Sequence, residues 1–335
     1  MKSVPIWPGD VDPDVLPDEL LRADRPYLLR GAFAHWPVVQ AARRSDRAVA
    51  DHMMGFYRGM QIGLFQILPE ARGRAFYADE SLSSFNFTRH VATLDQVLMG
   101  LLGLATAADG PTLYVGSTTV EAVLPGFLDV NRLDLGEREA LVSLWLGNRS
   151  RIAAHYDLPD NLAIVAAGRR RFTLFPPEQI GNLYMGPLDP TPAGQPVSLV
   201  DFLAPDFERF PRFARALEAA EQAELEPGDA VFIPSMWFHH VEGLEPINLL
   251  INAWWRQTPA HVDSPLNTLH LALMTLRDLP KRERQIWQHH FQHFIFGADA
   301  STWEHIPAEA RGLLGPIDET LSRRARAQLL SNLKR

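Results

Sequence analysis

Short apolar runs broken by glycine, proline and asparagine recur through the middle of the chain, at 113–116, 143–146, 162–166, 170–175, 230–233 and 249–254. Runs of four to six strand-forming residues between turn signals predict a series of short β-strands. Such a series favours a sandwich or barrel over a doubly wound sheet. No GxGxxG or Walker loop argues otherwise. Upstream, 27–31 reads as a strand entering a turn, 61–68 as another strand, and Trp36-Pro37 as the opening of a helical piece within 32–42. Thr93 followed by Gln96 has the form of a capping box and predicts a helix over 94–104. Phe76-Tyr77 and Phe85-Asn86-Phe87 form an aromatic stretch that either covers a core edge, the preferred reading, or walls a pocket. The first residues, punctuated by Pro8, Pro13 and Pro17, read as an extended arm.

The pattern changes twice more. The polar, proline-rich segment 182–215 reads as an excursion between strands, ending in a helix over about 210–222, and is placed to recognise substrate. Beyond Trp255 the period becomes helical. Ser264 is an N-cap ahead of Pro265, and Leu266, Leu269, Leu273 and Leu276 share one face. Pro280 opens a second helix carrying Ile286, Trp287, Phe291, Phe294 and Ile295, and 316–333 reads as a last helix, basic on one side. The expectation is a barrel-like domain over 1–260 and a helical region over 261–335 whose apolar hairpin is buried by self-association, giving a homodimer.

Composition narrows the chemistry. With 335 residues, 46% of them hydrophobic, a sizeable core is available. A formal net charge of −8 argues against a general nucleic-acid binder, which needs a basic face. Cysteine is absent, so a metal must be held by His, Asp, Glu or backbone oxygen. No apolar run reaches the roughly 20 residues of a membrane span, and the amino terminus lacks a signal-like apolar core, so a cytoplasmic protein is expected.

Candidate chemistry centres on His155-Tyr156-Asp157. On a strand, residues i and i+2 project from one face, so His155 and Asp157 can reach one ion. One further imidazole completes a two-His, one-carboxylate facial triad, which leaves exchangeable positions open and suits non-heme Fe(II) oxygenases. An HxD pair among twelve histidines is weak evidence by itself. The downstream context adds weight: Glu226-Pro227-Gly228-Asp229 reads as a tight turn, 230–233 as a buried strand, and Pro234 precedes Trp237 and the adjacent His239 and His240. By spacing alone either imidazole of that pair can face inward. His289 and His293 stand at HxxxH spacing, but without the acid of an HExxH motif they read as a solvated or interface face.

His155-Tyr156-Asp157, the run Gly168-Arg169-Arg170-Arg171-Phe172-Thr173-Leu174-Phe175-Pro176-Pro177, the PGDAVFIPSMWFHHV segment and Asn252-Ala253-Trp254-Trp255 together resemble the cupin-like branch of the JmjC family, which includes the asparaginyl hydroxylase of the hypoxia response. The resemblance covers about 114–255 and extends faintly to Leu28-Leu29-Arg30-Gly31 and Trp36-Pro37. It implies a double-stranded β-helix (a jelly roll) with Fe(II) held by His155, Asp157 and His239, leaving His240 as a core or supporting residue. It further implies 2-oxoglutarate as cosubstrate, converted to succinate and carbon dioxide while a C–H bond is hydroxylated. Arg170 matches the family's basic residue for the distal carboxylate, Tyr114 and Asn252 match cosubstrate contacts, and Asn161 matches a polar residue near the metal end, with structural hydrogen bonding an equal alternative for Asn161. Alternation supports Arg170, which shares a strand face with Phe172 and Leu174. Two departures stand out: the relative's Lys is Arg170 here, and its Thr is Ile152.

The expected function is therefore a Fe(II)- and 2-oxoglutarate-dependent oxygenase, a hydroxylase of an unidentified protein, peptide or small molecule, with a modified RNA base the less favoured substrate. The alternatives are a metal-retaining cupin-like binding or regulatory protein without turnover, and a cupin enzyme using its metal as a Lewis acid.

Overall fold

The computed structural model describes residues 1–335 except 10, 13, 14, 108, 109, 193 and 335, so the expected break at Pro13 lies outside the described residues. Two compact units are present, Met1–Gln257 and Thr258–Arg335.

In the first unit the strands run in the order β1 (Lys2–Ser3), β2 (Tyr27–Leu29), β3 (Ile62–Ile67), β4 (Arg74–Ala75), β5 (Phe87–Ala92), β6 (Thr112–Thr119), β7 (Leu141–Gly147), β8 (Ser150–Tyr156), β9 (Asp160–Ala167), β10 (Arg170–Phe175), β11 (Glu221–Leu225), β12 (Ala230–Ile233), β13 (Phe238–Gly243) and β14 (Asn248–Trp255). They form a six-stranded sheet, β1-β11-β10-β13-β8-β4, and an eight-stranded sheet, β2-β12-β9-β14-β7-β6-β3-β5. From β7 to β10 each successive strand switches sheet, and β11 to β14 wind back beside them. That double winding is the jelly roll of a cupin-like fold.

Strand alternation sorts the core. On β9, Leu162, Ile164 and Ala166 join Trp36, Phe33, Phe232 and Trp255 in a cluster on one side of the large sheet, together with helices Pro37–Ala42, Asp46–Phe56 and Leu94–Leu104. Ala163 and Val165 face the other way, into the space between the sheets, with Phe172, Leu174, Val231 and Leu250. β9 is buried on both faces, which is why its sequence is a continuous apolar run. The helix Leu94–Leu104 has the capping box that Thr93 and Gln96 suggest.

Several expectations need correction. β8 ends at Tyr156, so only His155 of the HxD pair lies in the strand, and Asp157 is the first residue beyond it. The helix closing the excursion runs Phe213–Ala219, and the residues after it form β11, whose Ala223 and Leu225 point inward between polar neighbours. The excursion itself is clamped to the small sheet by the Arg151–Asp201 ion pair at 2.8 Å and by Phe210, Phe213 and Leu183 against Phe175 and Phe238.

In the second unit, helix Pro265–Thr275 is capped by Ser264, whose side chain accepts from the Leu266 N–H, and helix Lys281–Phe291 continues as a π-turn over Gln292–Phe296. The helices at 265–275 and 281–291 form as the pattern requires. The last helix starts at Glu319, capped by Asp318, and runs to Leu333. Among the described residues no hydrophobic side chain of this unit is buried. No helix among the described residues is long and apolar enough to cross a membrane.

Candidate metal centre and its cavity

His155 and His239 come together through strand pairing. β8 and β13 are antiparallel neighbours with His239 directly opposite His155, and opposed residues project from the same face. Their ring centroids lie 4.3 Å apart. Each Nδ1 is occupied by a backbone carbonyl two residues back, Ala153 at 2.9 Å and Trp237 at 3.1 Å, which orients Nε2 of each ring towards the cavity. Such outer hydrogen bonds fix the tautomer of a metal-binding imidazole. Asp157 reaches the same point from the turn after β8: its backbone carbonyl accepts from the Met236 N–H at 2.9 Å, and its Oδ2 lies 3.5 Å from His239 Nε2. One ligand atom from each of the three lies within 4.8 Å of the others, a spacing that fits a single ion.

The electrostatics suit the same use. Burial, reinforced by the neighbouring His239 ring and opposed by Asp157, pushes His155 down to about 4, so it is neutral and able to ligate at neutral pH. Burial alone would raise the Asp157 carboxyl, but His239 and then His155 hold it below the usual carboxylate range. His155 as a neutral imidazole and Asp157 as a carboxylate are in the forms a divalent metal requires of its ligands.

The register also decides between the two adjacent histidines. Leu174 of β10 faces His239 across the pairing, whereas Thr173 faces His240. His239 therefore shares the inner face with Leu174, and His240 turns outward, where it stacks on Phe202 of the excursion with centroids 4.4 Å apart. His240 is buried with neither ring nitrogen hydrogen-bonded, and burial together with Arg151 and Arg74 pushes it down to about 3. The unfolded chain takes up that proton near 6.5, so the contribution to stability is intact above that pH and is lost progressively as pH falls towards 3. His240→Leu is accordingly expected to stabilise the protein by about 2 kcal/mol at pH 5 relative to its effect at pH 7, measured by urea denaturation at both pH values.

A cavity of about 440 Å³ opens from the triad between the sheets, lined among others by Tyr114, Trp145, Arg170, Asn252 and Trp254. Arg170 is 2% exposed, donates to the Trp145 carbonyl at 3.2 Å, and leaves its Nε unpartnered. Burial lowers its pKa, with the Tyr114 phenol beside it acting in the opposite sense, and burial raises Tyr114. A buried guanidinium that faces the cavity with no carboxylate paired to it among the described residues is costly to hold and is a ready receptor for one. Arg169 and Arg171, on the other face, pair with Glu224, Glu242 and Glu245 at the surface. Asn252 and Asn161 also line the cavity, but they bond each other at 3.2 Å, and Asn252 Oδ1 accepts from Trp145 Nε1 at 2.7 Å. The Asn252 amide is thus held by protein partners and serves at least to brace this wall.

Ile152 lines the cavity as well, although simple alternation would put it on the opposite face from His155, three residues away. A β-bulge supplies the difference: His239 pairs with His155 but Val241 pairs with Ile152, so β8 carries one residue more than β13 between these points. Of the opposite wall, sequence reasoning offered only Phe87, as the less favoured reading of the aromatic stretch. Phe65 of β3 with Phe87 and Arg89 of β5 line it, on alternating positions of two strands whose only sequence signal is their period of two. Of the aromatic stretch, Phe87 walls the cavity, while Phe85 stacks on it at 5.2 Å and Tyr77 is buried behind, so each alternative holds for part of the stretch. From the excursion, Pro192, Gly194 and Val197 reach the cavity. The C-terminal His289 and His293 belong to no group of metal-binding geometry among the described residues.

Comparison with known proteins agrees with this architecture. The chain is 34% identical over 148 residues to the tRNA wybutosine-synthesizing protein 5 of Gallus gallus, a match covering 40% of this chain and 43% of that protein. It is 32% identical over 146 residues to the lysine-specific demethylase JMJ31 of Arabidopsis thaliana, covering 42% and 25%, and 35% identical over 114 residues to the human HSPB1-associated protein 1, covering 33% and 23%. The matches span less than half the length of each of these relatives. The model of the cupin-like domain fits residues 13–261, the stretch that holds β2 to β14 and every residue of the cavity, and on that match the chain belongs to the cupin-like domain family, of JmjC type.

Proposed function

We propose that the protein is a Fe(II)- and 2-oxoglutarate-dependent oxygenase of the hydroxylase type. The observation that carries the reading is one cavity holding both the His155–Asp157–His239 cluster and the buried, carboxylate-free Arg170. When bound, Fe(II) with 2-oxoglutarate supplies oxidative hydroxylation of a C–H bond, the cosubstrate leaving as succinate and carbon dioxide. His155, Asp157 and His239 would hold the metal from one side. Arg170, with Tyr114 beside it, would take the distal carboxylate in the geometry its planar fork favours. Trp145, Phe172 and Leu250 keep the space between apolar and exclude water, which strengthens that ion pair. The relatives' names point to wybutosine synthesis in tRNA and to lysine demethylation, so it is the reaction class that the family relation supports.

The test is succinate formation from 2-oxoglutarate with Fe(II) under air, with and without candidate substrates. Detectable succinate that requires the metal supports the reading, and its complete absence, coupled or uncoupled, across a broad panel overturns it. Ile152 gives one specific reason to keep the non-turnover alternative, because a branched alkyl group occupies the cavity where the similar hydroxylase has a hydroxyl. Metal binding without measurable 2-oxoglutarate affinity in calorimetric titration would favour that alternative.

We further propose that the second unit is a dimerisation region. Isolated helices of 11 residues are marginal in water, and these expose Met274 at 78% and Phe296 at 77% together with Trp287, Phe294 and Ile295. A two-fold partner offering the same helices covers such faces with the fewest new elements. Sedimentation velocity is expected to give a dimer at tens of micromolar, and the double variant Trp287→Glu, Phe294→Glu a monomer.

A further inference from the structure

The strand β5 has features that the metal centre does not use. It ends the eight-stranded sheet and pairs on one side only, with β3, in the register Ile67↔Phe87, Phe65↔Arg89 and Gly63↔Val91. Thr88, Arg89, His90 and Val91 are all exposed, Val91 at 69%, and among the described residues no strand pairs along the outer edge. An edge strand presents a row of unpaired N–H and C=O groups, which proteins ordinarily blunt with proline, a bulge or a covering loop. β5 has six residues, no proline and no register break.

What lies on its inner face is equally specific. Phe87 and Arg89 line the cavity beside Phe65 and Gly63 of β3, whereas Thr88 and His90 alternate to the other face and bond each other at 2.8 Å. The Arg89 guanidinium lies 5.3 Å from the centre of the Phe65 ring and 5.7 Å from that of Phe87, and among the described residues it makes no ion pair. At Gly63 a side chain would meet nothing within 4 Å, so the rim is open there.

We propose that β5 is the docking edge for an extended polypeptide substrate, which adds to the sheet as one more strand and sets an acidic side chain against Arg89. Residues opposed across a strand pair share a face, so the side chain two positions from that acid also faces the cavity that contains His155, Asp157 and His239. The substrate class is thus a peptide segment free to become extended, with a carboxylate two residues from the position that enters. A nucleic acid fits less well. Arg89 and the buried Arg170 are the only Arg or Lys side chains that line the cavity among the described residues, and a polyanion is held by several cations at once. The inference rests on the oxygenase reading for the chemistry delivered to the substrate, but the docking can be read without turnover.

The probes are a fluorescent nonapeptide of alternating valine and serine with a central glutamate, the same peptide with central lysine, and two versions N-methylated on alternate amides. Anisotropy is recorded with the full chain loaded with Mn(II) and 2-oxoglutarate, alongside hydrogen exchange over 88–92. The glutamate peptide is expected to bind about tenfold tighter than the lysine peptide. One N-methylated set should lose about tenfold or more while the other binds normally, since only alternate amides of an added strand face β5. Arg89→Glu should reverse the charge preference, and bound peptide should slow exchange in β5. Equal binding of both N-methylated sets, unchanged exchange in β5, or an oligouridylate bound more tightly than the peptide would overturn the proposal. Peptide binding in a protein with no 2-oxoglutarate affinity would leave the docking edge standing and remove the oxygenase reading, so the two failures are distinct.

Discussion

Asp157→Ala is expected to abolish metal-dependent succinate formation and to weaken metal binding by more than about a hundredfold, since loss of a supporting residue alone costs 10- to 100-fold. The geometry gives this variant a second signature. Without metal, Asp157 is a carboxylate that His239 and His155 hold below its usual range, a contribution to stability that its removal gives up. The metal-free variant should therefore be no more stable than the metal-free wild type. Metal at about a hundred times its dissociation constant adds about 2.7 kcal/mol to the wild type, and that increment should vanish in Asp157→Ala. His239→Ala should behave in the same way, whereas His240→Leu should keep both the increment and activity, because His240 faces the excursion. Thermal melts with and without Mn(II) make the comparison. A His240 variant that loses the metal increment while His239→Ala keeps it would reverse the ligand assignment.

The second large effect is expected at Arg170. Arg170→Met removes a fully buried cation and leaves a chain of similar length, so the free protein should gain stability or stay unchanged. Binding of 2-oxoglutarate should move the other way and fall by about 30-fold or more, the cost of truncating one partner of a buried charged pair being about 2–5 kcal/mol. Arg170→Lys should restore part of it, since a point charge remains but the fork is gone. Opposite signs for stability and affinity mark a residue kept for a ligand. A fall in stability in Arg170→Met with unchanged 2-oxoglutarate affinity would show instead that the guanidinium braces the fold through the Trp145 carbonyl.

The cluster of His155, Asp157 and His239 was legible in the sequence because His155 and His239 sit on strands and Asp157 follows the first of them by one residue. His239 lies one residue into β13, directly opposite His155, and Arg170 shares an inner face with Phe172 and Leu174. The choice between His239 and His240 was not legible from spacing, because it depends on which face of β13 meets β10 in register. β11 was hidden for another reason. Its sequence Glu221-Gln222-Ala223-Glu224-Leu225 has helix-forming composition and follows a true helix, and only pairing to β10 makes it a strand. The rest of the cavity wall opposite the metal went unseen because Phe65 and Arg89 acquire meaning only as partners across two strands distant from the motif. The helices at 265–275 and 281–291 were legible as helices from their period, but an apolar face shows that a helix must be covered and does not say by what.

The bulge in β8 has a consequence for how such a cavity diversifies. With strict pairing, any change of register at Ile152 would propagate along β8 and rotate His155 away from His239. The extra residue interrupts that propagation, so the strand behaves as two short segments joined by a slack link. Position 152 can then exchange a hydroxyl for a branched alkyl group, and the pocket can be retuned for a different acid or a different substrate shape, while the imidazole pair three residues on keeps its place.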